Sequence, residues 1–308
     1  MKKKQHYVPQ FYLKNFAIHK KSGECSIRCY SKELNKSYNS NITQVAMERY
    51  FYDEEDPPEI ENYFLHLEGL HSKVYNKIIH NHSIKQLTMY DKFMMAHYIM
   101  TQNERTRSAR IRNAQMTELL YKYGRHGIDL PPYESLDEEY KKWLLESRAT
   151  IGQINIMFNP IEMEDGTVHY PYDVVIKMAK LGWVLLEDKL KREFFTSDHP
   201  VYVHNPPIED KNVIRGYGMS SYTAESVEIF FPLTPRLCLL LFDKVNSDYK
   251  NIGLIRQVNQ GELDWINTQV IAMAHRTIFT KKNDFQFVRD CVKKHPELKD
   301  PNRMRLNL

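Results

Sequence analysis

The sequence predicts an α+β fold in which an antiparallel sheet, assembled from the N- and C-terminal segments, packs against a central group of long α-helices. Strand-like stretches occupy both ends of the 308-residue chain, the middle has a helical period, and no Gly/Ser-rich or Pro-rich linker divides it. We therefore expect a single domain over residues 1–308, with a β-rich part at 1–58, a helical part at 59–160 and a mixed part at 161–308.

The β-rich part is expected to begin with an extended segment and a short helical turn over residues 6–16, because Val8 precedes a proline and is pushed away from helical geometry. A hairpin should follow. Residues 25–31 and 36–43 carry β-branched and aromatic side chains on either side of a polar turn.

The helical part contains three predicted helices. Apolar residues recur at i, i+3, i+4 and i+7 over 59–81, which indicates the first helix. The second is predicted as one continuous helix over 88–123, with Thr88 as its N-cap and Gly124 as its stop. A capping box predicts that the third begins at residue 135, and a proline at 160 ends it.

The mixed part alternates strands and helices. Its apolar segments predict, in chain order, a helix at 172–181, strands at 183–187, 194–195, 227–233 and 237–243, and a final amphipathic helix at 263–279 that carries Ile266, Val270, Ala274 and Ile278.

Composition excludes several classes of protein. With 42% hydrophobic and 27% charged residues, the chain is neither disordered nor a disulfide scaffold. Its net charge of +4 is too weak to predict nucleic-acid binding by itself. The four cysteines lack the spacing of a zinc ribbon, and the chain has no P-loop, no dinucleotide glycine fingerprint and no HExxH motif.

No targeting or membrane segment is predicted. The N-terminus MKKKQHYVPQFYLKNF lacks the apolar run of about 7–15 residues that a secretory signal needs. No stretch approaches the 18 or so consecutive apolar residues of a membrane helix. We expect a cytoplasmic protein that does not contact a membrane, and its oligomeric state is left open.

His6 is the first candidate site residue, since it lies in a dense aromatic segment at the N-terminus. An imidazole held by such a segment suits acid–base work or metal ligation near neutral pH. Alternatively, the segment is a structural clip and His6 is only the polar end of it.

Cationic candidates lie where the apolar half of the second predicted helix becomes polar. Gln102 and Arg105 share a helix face, and the guanidinium fork of Arg105 suits a phosphate or a carboxylate. Arg107, Arg110 and Arg112 follow, and we consider them as binding residues for an anionic backbone. The alternative is a solvated, salt-bridged helix surface.

Acidic and polar candidates lie in two other regions. Glu61 and Glu68, seven residues apart on the first helix, could hold a divalent metal or transfer protons. Ser197 and Asp198 occupy a polar turn after an apolar strand, where a rigid element can position chemistry, and Asp198 is a further metal candidate. Asn267 on the last helix is a candidate binding residue.

The chain resembles the DUF4238 family of microbial proteins over nearly its whole length. Four blocks carry the resemblance: QHYVPQFYLKNFA at 5–17, QNERTR at 102–107, TSDHPV at 196–201 and FPLTPRLCLLL at 231–241. This chain has His199 where family members often carry Asn. The family's function is unknown, but the resemblance implies that six residues belong to recurrent blocks, namely His6, Gln102, Arg105, Ser197, Asp198 and Pro200. We expect the polar residues among them to share a cleft.

Two functions fit these residues. The first is a nuclease-like phosphodiester hydrolase in which His6 is the acid/base, Arg105 and Gln102 bind the phosphate, and Asp198 with Glu68 binds Mg²⁺ or Mn²⁺ or orients His6. The second is a non-catalytic module of a microbial defence or toxin–antitoxin system that binds a protein, RNA or DNA, because Tyr and Arg are enriched at interface anchors.

Overall fold

A computed structural model of the protein describes residues 4–19, 21, 23–52, 59–123, 135, 137–139, 141, 161–162, 168–169, 172–205, 222–245 and 253–304. Helices and mostly antiparallel strands both form, so the predicted α+β class is confirmed. The predicted third helix lies largely outside the described residues. Among the described helices, none combines the length and the apolar character needed to cross a membrane.

The N-terminal part forms the predicted hairpin and an additional ribbon. Its elements are β1 (Lys4–His6), α1 (Gln10–Leu13), β2 (Ile18–His19), β3 (Cys25–Ser31), β4 (Lys36–Asn41) and β5 (Met47–Arg49). Strands β3 and β4 pair antiparallel, and Asn35 supplies the positive φ of 50° in the turn between them. The ribbon, in which β1 pairs with β5, was not predicted from the sequence.

The central helices are α2 (Glu59–Asn81), α3 (Met89–Glu104) and α4 (Arg107–Tyr123). The prediction of one continuous helix over 88–123 is wrong, because the helix ends before Arg105. Thr106 then starts a new helix, since its hydroxyl accepts the Ala109 N–H at 3.2 Å as an N-cap does. Thr88 caps α3 as predicted.

The C-terminal part supplies the remaining elements. They are β6 (Ile161–Glu162), β7 (Val168–His169), α5 (Tyr172–Lys180), β8 (Gly182–Glu187), β9 (Thr196–Ser197), β10 (Tyr202–His204), β11 (Glu228–Thr234), β12 (Leu237–Phe242), β13 (Ile255–Gln257), α6 (Gln260–Met273), β14 (Thr277–Thr280) and α7 (Gln286–Lys294). The strand predicted at 194–195 lies instead at Thr196–Ser197, because the Phe195 N–H donates to the Asn267 side chain rather than to a neighbouring strand.

The final helix was predicted to run to residue 279, and this is wrong. Helix α6 ends at Met273, and Ile278 lies on β14. The carboxylate of Asp198 accepts the backbone N–H groups of residues 275–277, which turns the chain out of the helix and into the strand.

The described residues form two five-stranded sheets, where the sequence predicted one. The first has the order β2-β3-β14-β9 with β4 paired to β3, and it joins strands from both ends of the chain as predicted. The second has the order β10-β11-β12-β8-β13 and comes entirely from the C-terminal part. Its β8–β13 pair is parallel, which was not predicted.

The main core lies between the N-terminal segment, the central helices and the second sheet. Buried residues from all three parts of the chain contribute to it. Helix α2 packs against β11, and α3 packs against α5. Each large apolar side chain buried there contributes about 1.5–3 kcal/mol, so the N-terminal segment is held firmly against the helices.

Candidate functional site

Tyr12 joins three of the four sequence blocks. Its buried hydroxyl donates to the Pro232 carbonyl at 2.7 Å and lies 2.6 Å from the Thr196 hydroxyl. Because the single hydrogen of Tyr12 serves the carbonyl, Thr196 is the donor in the second bond. The Tyr12 ring also stacks on Phe231 with 5.2 Å between ring centroids.

Tyr7 connects the N-terminal block to the remaining block, residues 102–107. Its carbonyl oxygen accepts from Gln102 Nε2 at 2.9 Å and from Arg105 Nε at 3.1 Å. Gln102 and Arg105 therefore bind the same carbonyl, although Arg105 lies just beyond the last residue of α3. The other edge of the Arg105 guanidinium lies 2.9 Å from a carboxylate oxygen of Glu68, and the two side chains are only 3% and 20% exposed.

This ion pair fixes the charge state of Arg105. Burial opposes the positive charge, but Tyr52 and Glu68 favour it, and the pKa of Arg105 lies above its ordinary value. The ring of Phe64 covers the guanidinium at 4.9 Å. Arg105 is thus a permanent internal cation that holds the N-terminal segment, and its assignment to phosphate binding stays a prediction.

Among the residues that the structure describes, three buried polar atoms of α3 have no hydrogen-bond partner. They are the hydroxyl oxygens of Tyr98 and Thr101 and the Oε1 atom of Gln102. Their spacing along α3 places them on one helix face. An unsatisfied buried polar group costs about 1–3 kcal/mol, so this face departs from ordinary core packing.

His71 and His97 form a buried pair beside this face. His71 Nε2 lies 2.9 Å from His97 Nδ1. Burial lowers the pKa of His71 to about 2, with help from the charges of His97 and Arg105. Burial also lowers the pKa of His97 to about 4. Both rings are therefore neutral at physiological pH.

His6 lies on β1 opposite Met47 of β5 and is half-buried. The neighbouring Gln5 lies opposite Glu48, and its side chain accepts the Tyr52 N–H at 2.5 Å. Because alternate residues of a strand point to opposite faces, His6 lies on the other face of the ribbon from Gln5. The role of His6 as an acid/base stays a prediction.

Both carboxylate oxygens of Asp198 accept hydrogen bonds from backbone N–H groups. One carboxylate oxygen accepts the His275 N–H at 2.8 Å, and the other accepts those of Arg276 and Thr277 at 2.8 and 2.9 Å. Burial raises the pKa of Asp198, although these N–H groups and the Lys32 ammonium act in the opposite direction. The geometry makes Asp198 an anchor for the α6–β14 turn, and it supplies no open oxygen for a metal.

Ser197 and His199 close the same turn. The Ser197 hydroxyl donates to the His199 carbonyl at 2.7 Å and accepts the His199 N–H at 3.0 Å. The His199 ring bonds to the Thr106 hydroxyl at 2.5 Å, which links the turn to the start of α4. Ser197 is completely buried, so it contributes to the turn rather than to an open surface.

The arginines after Arg105 do not form one open cationic patch. Arg110 is buried, its guanidinium lies 3.7 Å from the ring centroid of Phe51, and burial lowers its pKa to about 10. Arg112 pairs with Glu104 at 2.8 Å, and both are mostly buried. Only Arg107 is substantially exposed, and it lies 3.9 Å from the glutamate of β5. Two of the three cations face inwards, and the assignment of Arg107, Arg110 and Arg112 to the binding of an anionic backbone stays a prediction.

The proposed metal ligands are not assembled. Glu68 pairs with Arg105, Asp198 binds the α6–β14 turn, and Glu61 is buried near Tyr52. Within the described part of the chain, no group of three or more His, Cys, Asp and Glu residues could hold a metal ion. Dependence on Mg²⁺ or Mn²⁺ stays a prediction.

Asn267 positions a loop that the sequence analysis did not single out. Its Oδ1 accepts the Phe195 N–H at 2.8 Å, and its Nδ2 donates to the Glu193 carbonyl at 3.0 Å. Glu193 has a φ of +85°, which L-residues rarely adopt. The Glu193 N–H donates to Asp188 Oδ2 at 2.9 Å, and its carboxylate accepts from Thr280 and from the Lys282 N–H, each at 3.0 Å.

A cleft of about 140 Å³ opens beside this loop. Basic residues enter it from two chain segments, Lys191 and Arg192 from the β8–β9 loop and Lys282 from the β14–α7 loop. Its other lining residues are Phe195, Asp264, Asn267, Thr280, Asp284 and Phe287. The charge runs at 189–192 and 281–282 were the available sequence signal, but their proximity depends on the tertiary fold.

Comparison with known proteins supports the resemblance noted in the sequence. No curated protein and no solved structure matches the chain. Residues 4–284 match the family model described as "Protein of unknown function (DUF4238)". Since this match spans most of the 308 residues, the chain belongs to the DUF4238 family.

Proposed function

We propose that this protein is a non-catalytic module that binds RNA or DNA through a basic surface near its C-terminus. The observation that carries the proposal is the charge of residues 276–303, which contain eight Lys and Arg against four Asp and Glu. That excess equals the net charge of +4 of the whole chain. Residues 276–303 therefore form a locally cationic stretch of the chain.

Seven of the eight cations of this segment face solvent, whereas Arg303 is half-buried. We define the basic surface by the exposed side chains, which are Arg276, Lys281, Lys282, Arg289, Lys293, Lys294 and Lys299. On α7 the acidic Asp290 accepts a hydrogen bond from Gln286 at 2.9 Å, whereas the last turn ends in two lysines. Exposed cations of this kind neutralise backbone phosphates and release their counterions.

The internal contacts of the recurrent residues favour binding over hydrolysis. Arg105, Asp198 and Ser197 each use their polar atoms within the protein. Buried ion pairs and backbone anchors are expected of residues that maintain a fold. Phosphodiester hydrolysis stays a prediction of the sequence, and an assay for cleaved product with Mg²⁺, Mn²⁺ or EDTA tests it.

The proposal is tested by measuring the affinity for labelled single-stranded and duplex RNA and DNA over a range of salt concentrations. Non-specific binding predicts a Kd of about 10⁻⁴–10⁻⁶ M at physiological salt and a log–log salt slope of about −0.9 per neutralised phosphate. The double variant Lys293→Glu/Lys294→Glu should weaken binding at least tenfold and reduce the slope by about 2.

A matched control reverses two lysines in the last turn of α5, Lys177→Glu/Lys180→Glu, which are also exposed. Both double variants change the net charge equally and place glutamates at the same kind of helix end. Equal loss of affinity in the two variants would mean that net charge alone attracts the nucleic acid. Absence of binding by the unmodified protein would overturn the proposal.

A further inference from the structure

We propose that the cleft formed by Lys191, Arg192, Lys282 and Phe287 is a subsite for a terminal phosphate of a polynucleotide. The inference rests on the proposed nucleic-acid binding, because the cleft adjoins the basic surface through Lys282 and the start of α7. It adds to that function a preference for a phosphorylated chain end over a hydroxyl end.

The loop that carries two of the cations is rigidly built. Lys191 and Glu193 both have positive φ values, +60° and +85°. Such backbone costs about 1–3 kcal/mol per residue and persists only where the surrounding structure determines it. Here Asp188, Asn267 and Thr280 hold Glu193 by its N–H, its carbonyl and its carboxylate. These hydrogen bonds therefore fix the backbone that carries Lys191 and Arg192 at one edge of the cleft.

The third cation is fixed to the same loop. The Lys282 N–H donates to the Glu193 carboxylate at 3.0 Å, and the Lys282 ammonium donates to the Lys191 carbonyl. The β14–α7 loop and the β8–β9 loop are thus joined at the cleft. A ligand that enters between them meets positive charge from both sides without a large rearrangement.

Three cations of the cleft outnumber its two carboxylates, Asp264 and Asp284, and this net positive charge favours a terminal phosphate over an internal one. Asp264 lies 3.8 Å from Arg192, and Asp284 also lines the cleft, so a ligand has to compete with two carboxylates. A phosphate monoester carries about −1.5 to −2 charges at pH 7. An internal phosphodiester carries only one, and it competes less well for the same cations.

Phe287 supplies a surface for the base next to that phosphate. It is half-buried, and its ring packs edge-on against Phe195 with 6.0 Å between centroids. Aromatic side chains beside a cationic groove stack with bases of any sequence. The cleft therefore suits a terminal nucleotide without selecting its base.

The test compares single-stranded oligonucleotides of one sequence that carry a 5′-phosphate, a 3′-phosphate or only hydroxyl ends, with inorganic phosphate as a competitor. The protein should bind one phosphorylated form at least tenfold more tightly than the hydroxyl form. Phosphate should reduce this preference. The variant Lys191→Gln/Arg192→Gln should abolish the preference but keep the salt-dependent binding of long nucleic acid.

Lys189→Gln is the matched control, since Lys189 lies on the same loop, is 57% exposed and does not line the cleft. It should retain the preference. Equal affinity for all three ends, or an unchanged preference in the double variant, would overturn the subsite while leaving the proposed function intact. If no long nucleic acid binds at all, the proposed function fails, and the terminal-phosphate inference fails with it.

Discussion

Arg105 and Glu68 form an ion pair of 2.9 Å in the interior, 37 residues apart in sequence, and the same guanidinium holds the carbonyl of Tyr7. The pair connects α2 to the end of α3 and to the N-terminal segment. The guanidinium of Arg105 therefore stabilises the fold.

Removing one partner of this pair should strongly destabilise the protein, because the other charge is then buried without a partner. Arg105→Met leaves Glu68 without its cation, and Glu68→Gln leaves a buried guanidinium without its anion. Each change should lower the free energy of unfolding by about 3–5 kcal/mol. The double variant should lose less than the sum, with a coupling of about 0.5–3 kcal/mol in urea denaturation.

The exposed pair Lys189–Glu187, with side chains 57% and 29% accessible, is the control. The corresponding substitutions Lys189→Met and Glu187→Gln should couple by less than about 1 kcal/mol. Additive losses for Arg105 and Glu68 would show that the two charges act independently.

Two buried threonines near the end of α3 should respond oppositely to the same substitution. The Thr101 hydroxyl has no hydrogen-bond partner within the described part of the chain. Thr101→Val therefore removes an unsatisfied group and should stabilise the protein by about 1 kcal/mol. The Thr106 hydroxyl accepts the Ala109 N–H and bonds to His199, so Thr106→Val should destabilise it by about 1–3 kcal/mol. Thermal and urea unfolding measure both, and a similar loss in the two variants would contradict the assignment.

The α6–β14 turn should depend on Asp198. In Asp198→Asn the amide offers one acceptor oxygen, and its NH₂ group faces a backbone donor. We expect the free energy of unfolding to fall by about 2–4 kcal/mol. Asp284→Asn is the control, because Asp284 is exposed and the amide oxygen can still accept the Gln286 N–H. The control should change the free energy of unfolding by less than about 0.5 kcal/mol. An equally small change in Asp198→Asn would contradict the role of Asp198 in holding the α6–β14 turn.

The buried histidine pair predicts a loss of stability in weak acid. The pKa of His97 falls to about 4 and that of His71 to about 2 in the folded protein, whereas an unfolded histidine titrates near 6.5. Below pH 6.5 the unfolded chain therefore binds more protons than the folded one, and the free energy of unfolding decreases as the pH falls. The decrease approaches about 1.4 kcal/mol per pH unit for each histidine, until the pH reaches that group's folded pKa.

Substituting His71 isolates this contribution. His71→Phe keeps a ring against Tyr98, and its free energy of unfolding should fall less steeply between pH 7 and pH 5 than that of the unmodified protein. His80→Phe changes an exposed histidine on the same helix and should leave the slope unchanged. Parallel pH profiles for His71→Phe and the unmodified protein would exclude the pair as the cause.

Features set by neighbouring residues were predictable from the sequence. The helical period gave the bounds of α2, the Thr88 cap marked the start of α3, and the polar turn between β3 and β4 identified the hairpin. The break at Arg105 also had a local signal, since Thr106 is a good N-cap, but the prediction relied on the Thr88 cap and the Gly124 stop alone.

Features set by distant residues were not predictable. Nothing near Asp198 in sequence indicates that it binds residues 275–277, and nothing near Lys191 indicates that Lys282 lies beside it. Arg105 occurs at an apolar-to-polar junction that suggested an open cleft, whereas the N-terminal segment covers that place. Residue type defined the chemistry of each group, and the tertiary fold determined its partner.

The pairing of β3 with β14 has a consequence for how the protein is made. Tyr30 lies opposite Ile278, so the central ladder of the first sheet joins residues about 250 positions apart. A ribosome that adds roughly 5–20 residues per second needs on the order of 10–50 s to supply the second strand after the first. During that interval β3 has no β14 to pair with, so the N–H and C=O groups on that edge of the nascent hairpin stay unpaired until the C-terminal strand is made.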